Sequence, residues 1–397
     1  MRRCVGIEPA RFAATHWARR PLLTPGAGDF TDLLDPAAVD ELVSSRGLRT
    51  PFLRVAKDGK VVETARFTRG GGAGAEIADQ LADDRLTELF SDGSTLVLQG
   101  LHRTWPPLIE FGTALAAELG HPVQVNAYVT PPQNKGFAAH FDVHDVFVLQ
   151  VAGEKRWTIH PPVHPAPLRD QDWTRYRPAV QRRATEEPAI DAVLRPGDAL
   201  YLPRGWLHSA EALGEVSVHL TVGIHSVTRY ALVEALTALA AQEPRLRASL
   251  PLGVDVADPD QLGDDLTETV RALTDWLTEA DPAEVAERVR RRVWTATRPE
   301  PVGPLAQSTA ARSVSDTTRV RLRAGLRHRL HPVEDGSVVL ETQHTRLTLP
   351  AATAPAVRAL LAGATPAAGE LPELDAADGR ILVARLLRES VVVPVAE

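Results

Sequence analysis

Residues 140–159 read HFDVHDVFVLQVAGEKRWTI and predict a β-hairpin with two metal ligands at its start. A mostly apolar run follows the His-x-Asp pair, the sequence Ala-Gly-Glu indicates a turn, and a second strand carries Lys155. Residues two apart on a strand share one face. We therefore expect the imidazole of His140 and the carboxylate of Asp142 to point the same way.

A third metal ligand is available where a later strand ends. The run PGDALYLPRGWLH delivers His208 directly after a Pro-Arg-Gly turn. Two histidines and one carboxylate form the facial triad of non-haem Fe(II) oxygenases, which leaves open positions for a co-substrate and O2. Zinc would accept the same ligands, but an open site without cysteine favours iron chemistry.

Lys155 lies on a strand face that is expected to be buried. Alternation along the strand places it with Trp157 and Ile159, and it is one of only four lysines among 44 basic residues. A buried ammonium needs an anionic partner, because an unpaired buried charge is costly. A dicarboxylate such as 2-oxoglutarate would chelate iron at one end and pair with Lys155 at the other. In the alternative interpretation, Lys155 is an exposed strand end that pairs with Glu154.

The rest of the chain divides into regions of different pattern. Short strands between 123 and 225 are typical of a β-sandwich or barrel. Two of them, VQVNAYVT and VSVHLTVG, have one polar face, which would line a polar active site if it turned inward and would be ordinary surface if it turned outward. Helical patterns fill 229–292, 298–316 reads as a linker, and 317–397 predicts a hairpin and two helices that fit a winged helix.

The composition is that of a globular protein and excludes several classes. The formal net charge of -7 argues against nucleic acid as the main partner. A single cysteine, Cys4, excludes an internal disulfide framework. No apolar run reaches the about 18 residues of a membrane-spanning helix. We expect a cytoplasmic protein.

The segment NAYVTPPQNKGFAAHFDVHDVFVLQVAGEKRWTIH, together with PGDALYLPRGWLHSA and SVHLT, resembles the JmjC-type cupin oxygenases. Within that family it resembles the ribosomal oxygenases, which hydroxylate ribosomal proteins, and the similarity covers residues 8–228. It implies an α+β fold in which a double-stranded β-helix (the cupin or JmjC jelly roll) precedes a helical dimerisation segment and a C-terminal winged-helix-like domain. The implied domains are 1–228 (catalytic), 229–300 (helical dimerisation) and 301–397 (linker and winged-helix-like domain).

The resemblance also assigns roles to individual residues. It implies that His140, Asp142 and His208 bind Fe(II) and are the catalytic residues. The position that anchors 2-oxoglutarate in the family falls on Lys155. The supporting positions of the co-substrate site fall on Asn126, Tyr128 and Thr221.

Other polar residues near the motif are assigned weaker roles. His144 shares the face of the His-x-Asp pair and is expected to line the cavity rather than to bind metal. His219 is expected to be hydrogen-bonded in the core or to support the site. Lys135 is expected to be solvated or to touch a substrate. The loop 163–190 is expected to influence substrate choice, but its place cannot be read from the sequence.

The function implied by the resemblance is a dioxygenase that uses Fe(II), 2-oxoglutarate and O2 to hydroxylate a histidine or arginine of a ribosomal protein. A homodimer is implied as well, built from residues 229–292. Two rival functions stay open: a 2-oxoglutarate oxygenase that acts on a small molecule or biosynthetic peptide, and a cupin that binds metal without turnover. Demethylation of a methylated lysine would need a methylammonium cage, which the sequence does not show clearly.

Overall fold

A computed structural model describes residues 1–57, 59–132, 134, 138–334 and 336–395, so Lys135 lies outside the described residues. The chain divides into two compact units, Met1–Ser226 and Val227–Glu397. The predicted domains 1–228, 229–300 and 301–397 stay a prediction.

Antiparallel strands build the centre of the first unit. The strands are β1 (Leu22–Thr24), β2 (Leu53–Lys57), β3 (Lys60–Val61), β4 (Thr68–Arg69), β5 (Gln80–Leu81), β6 (Thr95–Leu98), β7 (Val123–Thr130), β8 (Asp145–His160), β9 (Ile190–Leu194), β10 (Ala199–Leu202) and β11 (Leu207–Ile224). The helices are α1 (Arg2–Val5), α2 (Pro9–Thr15), α3 (Pro36–Ser44), α4 (Asp83–Ser91), α5 (Leu101–Thr104), α6 (Pro106–Leu119) and α7 (Arg177–Arg183). Most of the predicted site residues lie on β7, β8 and β11.

Within the described residues, nine strands form one antiparallel sheet that bends around a cavity. Their order is β1-β10-β8-β11-β7-β6-β2-β3, and β9 pairs with β8. Strand β8 pairs with β10 through its first half and with β9 through its second half, while β11 pairs with both β7 and β8. Because long strands change neighbours along their length, residues of β6, β7, β8, β10 and β11 line the same cavity.

The hairpin predicted within 140–159 is wrong, because Asp145–His160 form one continuous strand, β8. Gly153 of the expected turn takes a φ of +62°, and the pairing of β8 with β11 changes register beside it. A β-bulge of this kind bends a strand without reversing it and adds one residue, which exchanges the two faces beyond it. Val148 therefore lines the cavity before the bulge and Lys155 lines it afterwards, although seven residues separate them.

The outer face of the sheet packs against helices. Ala127 and Leu220 are paired in register and belong to the same buried cluster as side chains of α3 and α6. The opposite face of these two strands presents Tyr128 and Thr221 to the cavity. The polar faces of β7 and β11 therefore turn inward, which decides between the two orientations that the sequence left open.

The second unit contains longer helices followed by a small α+β module. Its helices are α8 (Arg229–Ala240), α9 (Pro259–Glu279), α10 (Pro282–Ala296), α11 (Pro304–Arg312), α12 (Ala354–Leu361) and α13 (Ala376–Arg388). Its strands are β12 (Val320–Leu322), β13 (His328–Pro332), β14 (Val338–Thr342), β15 (Arg346–Leu349) and β16 (Val392–Pro394).

The C-terminal module contains the predicted hairpin and both predicted helices. Strands β13 and β14 form the hairpin, β15 extends it to three strands, and the last strand β16 pairs with β12. Its buried cluster joins side chains of α12 and α13 to these strands. The assignment as a winged helix stays a prediction. Among the described helices of the chain, none is long and apolar enough to cross a membrane.

Candidate active site

The structure brings the three predicted metal ligands together. His140 and His208 form an isolated antiparallel bridge, in which His208 N donates to His140 O at 2.8 Å and His140 N donates to His208 O at 3.2 Å. The amide of Gly205 donates to the carbonyl oxygen of Asp142 at 3.0 Å and ties the turn before His208 to the His-x-Asp segment. One ligand atom from each of the three side chains lies within 4.8 Å of the others.

Backbone carbonyl groups orient both imidazoles for metal binding. His140 Nδ1 lies 2.8 Å from the carbonyl oxygen of Ala138, and His208 Nδ1 lies 3.2 Å from that of Trp206. A carbonyl can only accept, so Nδ1 carries the proton in each ring and Nε2 keeps its lone pair for a metal. Such partners hold the orientation and tautomer of metal-binding histidines.

The charge states of the ligands suit a divalent cation. Burial, followed by the neighbouring His140, lowers the pKa of His208 to about 4, which keeps this ring neutral. Burial alone would raise the pKa of Asp142, but the imidazoles of His144, His208 and His140, together with Arg54, bring it below its ordinary value. The site therefore offers two imidazole Nε2 atoms and one carboxylate, the donor set that the sequence predicted for Fe(II).

Lys155 is buried in the cavity that the metal ligands line. Its side chain is 2% exposed, and Nζ donates to Thr130 Oγ1 at 2.9 Å. Burial lowers the pKa of Lys155 to about 7. The alternative pairing with Glu154 is wrong, because Glu154 is bound by Arg195 at 3.0 Å.

Polar side chains of β7 and β11 line the cavity together with Lys155. Tyr128 and His219 stack with ring centroids 5.0 Å apart, and Thr221 follows on the same face of β11. Burial lowers the pKa of His219 well below its ordinary value, and it raises the pKa of Tyr128 to about 12. Among the described residues, His219 Nδ1 has no hydrogen-bond partner. Within the described chain, Asp142 is the only carboxylate in the lining.

Asn126 occupies a different place from the other predicted co-substrate residues. Its register partner is Thr221, but its Oδ1 accepts a hydrogen bond from the amide of Gly100 at 3.0 Å. Asn126 is not among the described residues that line the cavity. Gly223, two residues beyond Thr221 on β11, has no room for a larger side chain. A Cβ added there would lie 3.1 Å from both Gln124 and His144.

Two residues beside the site escaped the sequence analysis. Arg54 on β2 stands in one cross-strand row with Val97 and Tyr128, forms a hydrogen bond with Tyr128 and acts electrostatically on Asp142. An arginine within the apolar run PFLRVA was an available signal for it. Trp173, in the loop that could not be placed, has its ring centroid 6.2 Å from that of His140.

Comparison with known proteins agrees with this geometry. Residues 110–232 match the family model described as "JmjC domain". This part of the chain is therefore similar to a JmjC domain. The match contains all three predicted metal ligands, Lys155 and the other predicted co-substrate residues.

Curated relatives of this chain are similar to it over part of their length. The bifunctional lysine-specific demethylase and histidyl-hydroxylase NO66 of Drosophila persimilis is 38% identical over 255 residues, which are 62% of this chain and 35% of the relative. Ribosomal oxygenase 1 of Rattus norvegicus is 31% identical over 186 residues, 46% of this chain and 31% of the relative. The chain spans about a third of the length of these curated relatives.

A solved structure matches this chain over nearly its whole length. YcfD, a ribosomal oxygenase from Escherichia coli solved with cobalt and 2-oxoglutarate, has a TM-score of 0.55 at 18% identity and covers 99% of both chains. At this identity the likeness concerns the fold. The predicted α+β fold class is confirmed, and residues 110–232 have the predicted similarity to a JmjC domain.

Proposed function

We propose that this protein is an Fe(II)- and 2-oxoglutarate-dependent dioxygenase that hydroxylates a histidine or arginine side chain of a ribosomal protein. The observation that carries the proposal is a single cavity lined by a two-histidine, one-carboxylate cluster and by a buried lysine. The cluster suits iron, and the lysine suits the distal carboxylate of the co-substrate. A structural cavity would need neither group.

The side chains of the site have separate tasks in this reaction. His140, Asp142 and His208 would hold Fe(II), which supplies the coupled oxidation of 2-oxoglutarate and substrate by O2 to succinate, CO2 and the hydroxylated side chain. Lys155, already hydrogen-bonded to Thr130, would pair with the distal carboxylate. Tyr128 and Thr221 would add hydrogen bonds from the cavity wall, while Asn126 would act from outside the lining through its contact with Gly100.

Apolar side chains complete the cavity and favour this chemistry. Val146, Val148 and Leu202 line it together with the ring of Trp157. An apolar wall limits water, strengthens the charge pairing of Lys155 and protects reactive species from side reactions.

The class of substrate is inferred from the relatives. Their names describe ribosomal oxygenases and a histidyl-hydroxylase, which supports a ribosomal protein as the partner. We propose the cytoplasm as the place of reaction. We further propose a homodimer built from residues 229–292. Leu232 and Val233 on α8, and Leu266 and Val270 on α9, are large apolar side chains that are exposed in the single chain.

The experiment that tests the function is turnover of 2-oxoglutarate to succinate with Fe(II), with and without total bacterial ribosomal protein. The wild type is compared with His140→Ala and Lys155→Ala, and with Lys60→Ala as a control at an exposed lysine. Intact-mass analysis then seeks the gain of one oxygen atom on a single ribosomal protein. We expect that gain with the wild type and with the control only.

Other outcomes identify the rivals. Succinate without any modified protein would retain the oxygenase and assign its substrate to small molecules or another peptide. Formaldehyde released from methylated lysine peptides would indicate demethylation. Absence of both turnover and 2-oxoglutarate binding would refute the enzyme and favour a cupin that only binds metal.

A further inference from the structure

The segment between β8 and β9 is fixed over the metal ligands. It contains a 3-10 helix, Trp173–Tyr176, and helix α7. Val180 of α7 shares a buried cluster with Phe141 and Leu207, and the ring of Tyr176 packs on Phe141 with centroids 6.0 Å apart. Phe141 lies between two ligands in sequence and Leu207 directly precedes the third. The segment is thus anchored on the residues that flank the metal site.

Trp173 is the residue of this segment that reaches the site itself. Its ring centroid lies 6.2 Å from that of His140, with the ring planes inclined by 54°. The side chain is only partly buried, and the guanidinium of Arg177 lies 5.3 Å from its ring centroid. An aromatic ring beside a metal ligand therefore has accessible surface and a partner that fixes its orientation.

Metal binding and co-substrate binding do not use Trp173. The imidazole of His140 is already oriented by the carbonyl of Ala138, and the described cavity lining does not include the indole. If the ring only shielded His140, burial would be expected, as for Phe141, which is 1% exposed. A partly exposed indole at this place is available to the third participant in the reaction, the protein substrate.

We propose that Trp173 is a specificity-determining residue, whose indole packs against the planar side chain of the target residue beside His140. This inference rests on the proposed function and refines it. Imidazole and guanidinium groups are planar and stack well on an indole, whereas an ammonium or aliphatic side chain loses the face-to-face contact. The enzyme would therefore select its target partly by shape and π character.

A kinetic comparison provides the first test, with Trp173→Leu as the loss of the ring and Trp173→Phe as the conservative replacement. We expect Trp173→Leu to raise the KM of the modified ribosomal protein roughly three- to tenfold and Trp173→Phe to restore most of the loss. The KM for 2-oxoglutarate and its turnover without protein substrate should stay within about twofold of the wild type. An unchanged protein KM, or an equal fall in turnover without protein, would overturn the inference.

A second measurement tests the proposed role of Trp173 even if no ribosomal protein is modified. Mn²⁺-loaded protein with 2-oxoglutarate is mixed with Gly-Arg-Gly or with Gly-Lys-Gly, which has equal charge but no planar group. Broadening of the peptide proton lines by Mn²⁺ reports binding beside the metal. We expect more broadening of the arginine peptide, lost in Trp173→Leu. Equal broadening of both peptides, or no effect of the substitution, would reject the role of Trp173 independently of the proposed function.

Discussion

Lys155 Nζ donates a hydrogen bond to Thr130 Oγ1 over 2.9 Å, and this neutral hydroxyl is the partner of a buried ammonium. Thr130 itself is fully buried and lies 3.4 Å from the hydroxyl of Thr95. A hydroxyl offers much less compensation to an ammonium than a carboxylate does. The site therefore favours an anion. A dicarboxylate binds more tightly to this ammonium because folding has already removed the water around it.

The affinity for 2-oxoglutarate should fall as the pH rises above about 7. The pKa of Lys155 is lowered to about 7 in the free cavity, so the lysine is charged below this pH and becomes neutral above it. Binding of a carboxylate favours the charged form, so above about pH 7 the lysine must take up a proton and Kd rises by up to about tenfold per pH unit. Calorimetry on the metal-loaded protein between about pH 6 and about pH 9, in buffers of different ionisation enthalpy, measures both effects.

Lys155→Met is the control for this pH dependence, because it removes the titrating group. Its affinity should be weak and nearly independent of pH over the same range. Of the titratable side chains that line the cavity with Lys155, His219 and Tyr128 do not interfere: burial holds the pKa of His219 well below its ordinary value and raises that of Tyr128 to about 12. A wild-type Kd that is constant across this range would contradict the assignment of Lys155.

Loss of the carboxylate ligand should abolish tight metal binding. We expect Asp142→Asn to weaken Co²⁺ binding by more than the roughly 10–100-fold that is typical of losing an outer partner of a ligand. Titration of the metal-free protein with Co²⁺, followed by the visible absorption of the bound ion, gives the affinity. Asp40→Asn, at an exposed residue of helix α3, serves as the matched control. Equal affinity for both variants would place the metal elsewhere.

Replacing Arg54 by glutamine should move the affinities for metal and for co-substrate in opposite directions. The guanidinium forms a hydrogen bond with Tyr128 and stabilises the charge of Asp142. A nearby cation repels a divalent metal and attracts an anion, so Arg54→Gln should tighten Co²⁺ binding and weaken 2-oxoglutarate binding, each roughly three- to tenfold. Arg54→Lys should stay near the wild type. A loss of both affinities would instead indicate that Arg54 only maintains the fold.

The predictions from sequence succeeded where local pattern determines position. Alternation along β7 and β11 was enough to place Tyr128 and Thr221 on one inward polar face, since the hydrophobic face must pack on the helices. The prediction that His140 and Asp142 lie together required only the two-residue period of an extended chain. The prediction of His208 rested on its position after the Pro-Arg-Gly turn.

The errors arose where tertiary structure determines the outcome. The Ala-Gly-Glu sequence is compatible with a turn or with a bulge, and pairing with β11 selects the bulge. The position of Trp173 is set by the way an irregular segment folds back over the predicted metal ligands. The position of Arg54 beside the site is set by a strand that is distant in sequence. None of these contacts has a local periodicity from which it could be inferred.

The bulge at Gly153 gives the last prediction, because it joins the two halves of the cavity. The φ of this residue is +62°, and an added Cβ would lie 2.2 Å from the carbonyl oxygen of Val216. Gly153→Ala should therefore lower the free energy of unfolding and also move Lys155 from its inward position. Gly214→Ala is a matched control, since this residue has a φ of +66° and no atom within 4 Å of the added Cβ.

We expect Gly214→Ala to cost about 1 kcal/mol, from the left-handed backbone alone. Gly153→Ala should cost at least about 1 kcal/mol more, because the collision with Val216 adds overpacking to the same backbone strain. Denaturant unfolding followed by circular dichroism gives both values, and calorimetry gives the accompanying loss of 2-oxoglutarate affinity. Equal stability of the two variants would show that the strand accommodates the methyl group, and the bulge would then not be the feature that directs Lys155 into the cavity.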